Sequence, residues 1–446
     1  PAAVAAPSPW DGEPMAMDED QILALSDAEP VADEGQAVDF LFQRERVEQR
    51  DDGTLRTDTY RVYRVVAPAE RLDGWDATRA SWRPWYQERP VIAVRVIGAD
   101  GFARTVDPAS LVESGGSSNS AGDLYSDARA VQGHIPGLGP GALVEEHIIT
   151  EERVPFFPDG SGGVCGLAWG IAPRASVCEL VGASPKSFTW KAVAGRIPKP
   201  RKSKVAGRYV TRWEVSGLAP VALDPPGAPS DYQPFPSIHW TTGKTWAALA
   251  KAYDARVAPI LDPAPLAERA EAIVAGATTD RERIARLVAW IHAQARYTGI
   301  EFGQAAIIPV TPQEVLTRGY GDCKDKATLF VALARAVGLD AHLAVLRAGY
   351  GRDVVEGLPR LDGFNHAIAY VASDPPLWLD LTAPEARVDD LPLGDQDRLA
   401  LVIAPDTRGL ARIPKATPAD NRYEMTVDVA LGLDGTARVT EVTRTQ

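Results

Sequence analysis

At 446 residues the chain is too long for one ordinary core and is expected to form two or three domains. Its 45% hydrophobic and 24% charged content is that of a globular protein, and no run of about eighteen apolar residues is present to cross a membrane as a helix. A net charge of -13 excludes a general nucleic-acid binder, which needs clustered Lys and Arg to displace counterions.

The chain starts Pro1-Ala2-Ala3 with no Met, so any export signal is expected to lie outside it, and residues 1–37 read as an N-terminal extension. From Val38 onward short segments rich in β-branched and aromatic residues predict strands over Val38–Glu45, Tyr60–Val66, Val91–Ile97, Ala142–Ile149, Phe188–Val193 and Arg208–Val215. Turn chemistry separates them at Asp51-Asp52-Gly53, at Asp100-Gly101 and in the Gly/Ser tract Ser114–Gly122. Helical periodicity is nearly missing, so residues 38–217 are expected to form an antiparallel β-sandwich-like domain. Within it, the basic run Lys199–Lys204 reads as a solvated turn, and Trp75, Trp82 and Trp85 as buried core rather than a ligand platform. Cys165 and Cys178 lie 13 positions apart and are either a disulfide, restricting the unfolded chain by about 3 kcal/mol, or two buried free thiols.

Residues 218–243 are Pro-rich and read as a linker, after which the hydrophobic period lengthens from about 2 to about 3.6. Helices are predicted over Trp246–Leu261 and Pro265–Ala275, and after an N-cap at Thr279 or Asp280 for the stripe Ile284, Leu287, Val288 and Ile291. Gly321-Asp322 then opens a further helix at Cys323, with Leu329, Phe330, Leu333 and Val337 on its apolar face and a stop at Gly338. Strands follow at His342–Ala348, Asn365–Ala372, Leu377–Asp380 and Leu399–Ile403. Helices first and strands later make residues 244–414 an α+β domain. Tyr423–Leu431 and Thr436–Val442 form a hairpin around Asp434-Gly435. Residues 415–446 therefore either dock on the rest or begin a third β-rich domain.

The chemistry concentrates on three residues. Cys323, at a helix start, meets the unsatisfied N–H groups and positive dipole end that favour thiolate and can hold an oxyanion. His366 lies 43 positions later on a predicted strand, and Asp380 ends the next one. Antiparallel pairing would set the carboxylate beside the imidazole, fixing its tautomer and stabilising its cation. Lys324, Asp325 and Lys326 are expected to pair among themselves or meet solvent. His134, His147, His239, His292 and His342 lack metal-ligand spacing, so no metal site is expected.

The run Tyr320-Gly321-Asp322-Cys323-Lys324-Asp325-Lys326-Ala327-Thr328-Leu329, with Phe364-Asn365-His366 and Leu377-Trp378-Leu379-Asp380, resembles bacterial transglutaminase-like proteins of the papain-type superfamily. Upstream, Ser81-Trp82-Arg83-Pro84-Trp85-Tyr86, Pro90 and the strand Val91–Ile97 look like the β-rich domain of unknown function that precedes this core in exported or envelope proteins. The resemblance implies a papain-like α+β domain after the β domain, a Cys323-His366-Asp380 triad and no cofactor. It also implies a periplasmic or otherwise exported location in a bacterium. Asp380 is followed by Leu381-Thr382 where the family often has Pro-Thr, and no motif fixes an upstream oxyanion side chain, for which Gln304 is chemically suitable. The expected activity is thiol-dependent acyl transfer on a peptide or protein amide through a thioester. Water as acceptor makes a protease or amidase, an amine makes a transglutaminase. The rival expectation is a catalytically silent scaffold whose β domain binds a protein or envelope partner.

Overall fold

A computed structural model describes residues 17, 19–26, 36–72, 74–115, 124–168, 171–218, 227–229, 231–232, 235–383, 388, 390–419 and 421–445. Most of the N-terminal extension, most of the Gly/Ser tract and much of the Pro-rich segment lie outside the described residues.

Five of the six strands expected from alternation fall in one eight-stranded sheet, and the sixth, Thr189–Val193, joins a smaller one. The order of the large sheet is Arg201–Val205, Arg208–Ser216, Ala175–Gly182, Val38–Gln49, Leu55–Val65, Leu143–Glu151, Val91–Ile97, Ala103–Thr105. The sheet is not wholly antiparallel: Val38–Gln49 runs parallel to Ala175–Gly182, pairing Arg44 with Val177. A register shift between Phe40 and Phe42 flips the alternation, so that Val38, Phe40 and Val47 all bury on the same side as Leu55, Tyr63 and Val65.

Two three-stranded sheets cover that side. One contains Ala77–Trp82, Arg129–His134 and Val112–Gly115 and buries Trp82 and Val131 against Val94 and Val144. The other contains Gly162–Gly166, Ser237–Thr241 and Thr189–Val193, and packs Cys165, Ile238 and Trp240 onto Cys178, Leu180 and Trp213. Across the large sheet, helix Glu19–Ser26 seats Ile22 against Leu41, Tyr60 and Val62. The expected sandwich-like packing is thus present.

Three expectations need correction or resolution. Ser237–Thr241 is no linker but a fully buried central strand, because Ile238 and Trp240 find an apolar sheet face to fill. Lys199–Lys204 does not form a turn. Its last four residues lie in the exposed edge strand Arg201–Val205, where Lys202 and Lys204 keep the open backbone edge hydrated and discourage pairing with another chain. Cys165 and Cys178 are free, buried thiols, and burial pushes both above the usual thiol range.

In the second half, an antiparallel sheet of order Leu377–Leu379, His366–Val371, Ala341–Leu346, Leu399–Ile403, Ala411–Arg412 carries helices on one face. Trp246–Val257, Ala267–Val274 and Asp280–Gln294 surround a central helix, Cys323–Ala336, whose Leu329, Phe330 and Leu333 are fully buried. At about 1.5–3 kcal/mol for each large apolar side chain removed from water, this helix is held by its surroundings more than by its own propensity. The Thr279 N-cap is present, its hydroxyl accepting from Glu282 N–H at 3.2 Å. Ala344, Leu346, Ile368, Trp378 and Ile413 form a smaller core on the sheet's other face. The terminal hairpin pairs Tyr423–Leu431 with Ala437–Thr445, and its described side chains are exposed on both faces, so it does not dock on the rest.

Candidate functional site

The segment before Cys323 is built to aim one side chain. Helix Pro312–Arg318 ends at Gly319, which takes the left-handed conformation at φ 70° that a side chain disfavours. Tyr320–Gly321 then pairs with Arg296–Tyr297. Gly321 is required by proximity: a Cβ there would lie 2.8 Å from the Asp325 Cβ. Asp322 caps the next helix, accepting from Asp325 N–H at 3.2 Å while Asp325 accepts from Asp322 N–H at 3.3 Å. A further bond from Val310 N–H to Asp325, at 2.9 Å, ties the preceding loop to this cap. Cys323 therefore occupies the first helical position, half-buried.

His366 opens its strand and Asp380 follows the neighbouring one, with Ala369 opposite Leu379 between them. His366 Nε2 lies 3.2 Å from Asp380 Oδ2. The other carboxylate oxygen accepts from the N–H and hydroxyl of Thr382 at 2.8 and 2.7 Å, so the Thr following Leu381 fixes the carboxylate. Burial opposes a charged ring at His366. Asp380 and the Cys323 sulfur, both in hydrogen-bonding position, outweigh it and hold the imidazole's proton affinity well above the ordinary range. Burial likewise works against the Asp380 carboxylate, but His366 and Thr382 bring it below its usual value. The three expected residues thus converge at the mouth of one helix.

Gln304 does not join them in any hydrogen bond. It sits exposed on the turn Gly303–Ala306, and its side chain makes no hydrogen bond among the described residues. Lys324, Asp325 and Lys326 are all buried, so of the two expectations for them the solvent-facing one fails, because this helix enters the middle of the core. Lys324 pairs with Asp322. Lys326 is pushed down to about 8 by burial, partly opposed by Asp380.

Two groups had no signal in the sequence. Asp395, 2% exposed, offers an oxygen within 4.8 Å of a ring nitrogen of His366 and a carboxylate oxygen of Asp380, and among the described residues its Oδ2 has no hydrogen-bond partner. Burial pushes its carboxyl up to about 7, His366 lowering and Asp380 raising it. His292, with both ring nitrogens buried and without hydrogen-bond partners among the described residues, is depressed by burial and by Lys326, with Asp380 acting the other way. Asp395 follows a turn from Pro392 and lies 15 residues past Asp380 (395 minus 380), where no periodicity or motif marks it.

Residues 51–222 match DUF3857, a domain of unknown function with a solved structure, and residues 267–382 match the transglutaminase-like superfamily. Cys323, His366 and Asp380 all fall within the second match, and Asp395 lies beyond it. Among solved structures, a candidate protease from Parabacteroides distasonis superposes with a TM-score of 0.69 at 11% identity, over 89% of this chain and 79% of that one. That likeness establishes a shared fold. A candidate cysteine protease from Cytophaga hutchinsonii aligns at 13% identity over 88% of this chain and 89% of that one, with a TM-score of 0.22. No curated protein matches the chain. By these matches the chain carries a transglutaminase-like domain at residues 267–382 behind a DUF3857 domain at residues 51–222.

Proposed function

We propose that the chain is a thiol-dependent acyl-transfer enzyme acting on a peptide or glutamine-type amide, with Cys323 as nucleophile, His366 as base and acid, and Asp380 as the group that orients His366. The observation that carries this is the convergence of the Cys323 sulfur and the Asp380 carboxylate on one half-buried imidazole. Such a ring can accept a proton from sulfur and return it to a leaving group.

In the proposed cycle Cys323 Sγ bonds to the amide carbonyl carbon while its proton passes to His366. The N–H groups of Cys323 and Lys324, which the helix cap does not use, face the developing oxyanion. The C–N bond then breaks, His366 gives its proton to the departing amine or ammonia, and a thioester remains. Water or a second amine attacks it, again losing a proton to His366, and sulfur leaves. Hydrolysis makes a peptidase or amidase, and aminolysis makes a transglutaminase. An exported, peptide-like substrate fits the family's usual setting, and the DUF3857 domain is the natural place for a partner to dock.

Alkylation tests the reading without knowledge of the substrate. Iodoacetamide should modify Cys323 faster than it modifies a free cysteine near neutral pH, with Cys165 and Cys178 protected. His366→Ala should remove the enhancement while circular dichroism stays unchanged. A Cys323 rate equal to that of free cysteine, insensitive to His366, leaves only the scaffold reading.

A further inference from the structure

The segment between strands Ala341–Leu346 and His366–Val371 leaves the catalytic sheet and lies against the β-rich half. Leu361 N–H bonds to the Gly160 carbonyl at 2.9 Å, the Thr241 hydroxyl bonds to the Pro359 carbonyl, and Trp246 Nε1 donates to the Glu356 carbonyl at 2.5 Å. Gly243 has no room for a side chain, since a Cβ would meet the Pro359 carbonyl oxygen at 2.1 Å. The segment is therefore pinned, and the space it encloses with the β-rich half is a formed pocket of about 250 Å³.

The lining has two characters. Val164 from the β-rich half and Val354, Val355 and Leu358 from the segment supply apolar walls, and Arg347, Arg352 and Arg360 supply guanidinium groups. Asp353 also lines the pocket, but its two oxygens accept from the backbone N–H groups of Val354 and Leu399 at 2.7 and 2.8 Å. Arg360 is forked onto Asp362 with both bonds at 2.9 Å. Arg347 reaches the neutral Gly363 carbonyl at 3.4 Å. Three arginines and one carboxylate, that of Asp353, therefore line the pocket, within a chain of net charge -13. His239, also in the lining, is pushed down to about 4 by burial and by Arg352, Arg360 and Lys191, so at neutral pH it is an uncharged hydrogen-bonding group.

The pocket adjoins the proposed catalytic ring along the chain. Leu346 pairs with His366 across the sheet, and Arg347 follows it directly. Gly363, in the lining, precedes His366 by three residues (366 minus 363). We propose that this pocket is a carboxylate-binding subsite that takes an acidic side chain of the peptide substrate, a conclusion that rests on the acyl-transfer reading for its role though not for the site itself. The apolar walls hold the methylene stem, and Arg347 and Arg352 meet the carboxylate. Inorganic phosphate shares the anionic chemistry but offers nothing to those walls.

The test is a calorimetric and NMR titration of the full chain with N-acetyl-glutamate amide, N-acetyl-glutamine amide and inorganic phosphate. The glutamate compound should bind at least about tenfold more tightly than its neutral isostere and than phosphate. Arg352→Met and the exposed Arg347→Glu should each abolish the preference. Cys323→Ala should leave it intact. Equal binding of the acidic and neutral compounds, or phosphate alone, overturns the subsite. A second arm separates the two readings by following acylation of Cys323 by mass spectrometry with a degenerate peptide library. Acidic binding without any acylation keeps the carboxylate site and removes the acyl-transfer reading, whereas acylation indifferent to Glu or Gln removes the subsite alone.

Discussion

Asp380 divides its two oxygens between two duties: Oδ2 stands 3.2 Å from His366 Nε2, and Oδ1 accepts two bonds from Thr382, at 2.8 and 2.7 Å. The backbone N–H and the hydroxyl of one residue thereby set the direction of the carboxylate, and the carboxylate sets that of the ring.

Thr382→Val keeps the shape and the N–H bond while deleting the hydroxyl bond. The loss should be about 1 kcal/mol in stability, measured by urea unfolding. The alkylation rate of Cys323 should fall as the Asp380–His366 geometry loosens. An unchanged rate would show that the Thr382 N–H alone suffices.

Asp380→Asn removes the charge that sustains the His366 proton. The imidazole titration midpoint, followed by nitrogen-edited NMR, should drop from well above its usual value towards the ordinary range, because burial then acts with less opposition. A midpoint that does not move would assign the raised affinity to Cys323.

Asp395 makes stability depend on pH in a definite sense. Its folded carboxyl titrates near 7 and an ordinary aspartate at 3.8, so the folded chain keeps a proton that the unfolded chain has lost. That contribution is complete below about 4 and disappears as pH rises through 7. The groups acting on it are His366, Asp380 and Arg398. Asp395→Asn cannot ionise, so its Tm relative to the parent should rise between about pH 4 and pH 7. Parallel Tm curves over that range would contradict the assignment.

Gly321→Ala puts a methyl 2.8 Å from the Asp325 Cβ, inside the capping box. Either the cap or the Tyr320–Gly321 pairing has to move, at a cost of about 1–3 kcal/mol. Chemical denaturation should show the loss, and Cys323 alkylation should slow because its helix start is displaced. Wild-type behaviour in both would mean the turn is softer than its contacts suggest.

Much of the local structure was legible because it follows from alternation and capping. Val91–Ile97 and Leu399–Ile403 occupy their predicted spans, and Thr279 caps its helix as expected. The parallel partner of the first strand was not legible: Arg44 and Val177 are 133 residues apart (177 minus 44), and nothing in either segment names the other. Ser237–Thr241 was hidden by the prolines before it, which mark a turn whether or not a strand follows. The burial of Lys326 was equally opaque, since the first turns of a helix are usually solvated and only packing around Cys323–Ala336 encloses them.

What the sequence by itself determined is what depends on neighbours along the chain: strand and helix periods, the Asp322 cap, the glycine before it, and the family motif that marks Cys323, His366 and Asp380. Tertiary structure decided which distant groups meet. It brought the sulfur of one helix to the ring of a strand 43 residues later, added Asp395 to their surroundings, and closed an arginine-lined pocket between two halves. The physical reason is that proton affinities and ligand sites arise from burial and from charges within a few ångströms, and folding creates both.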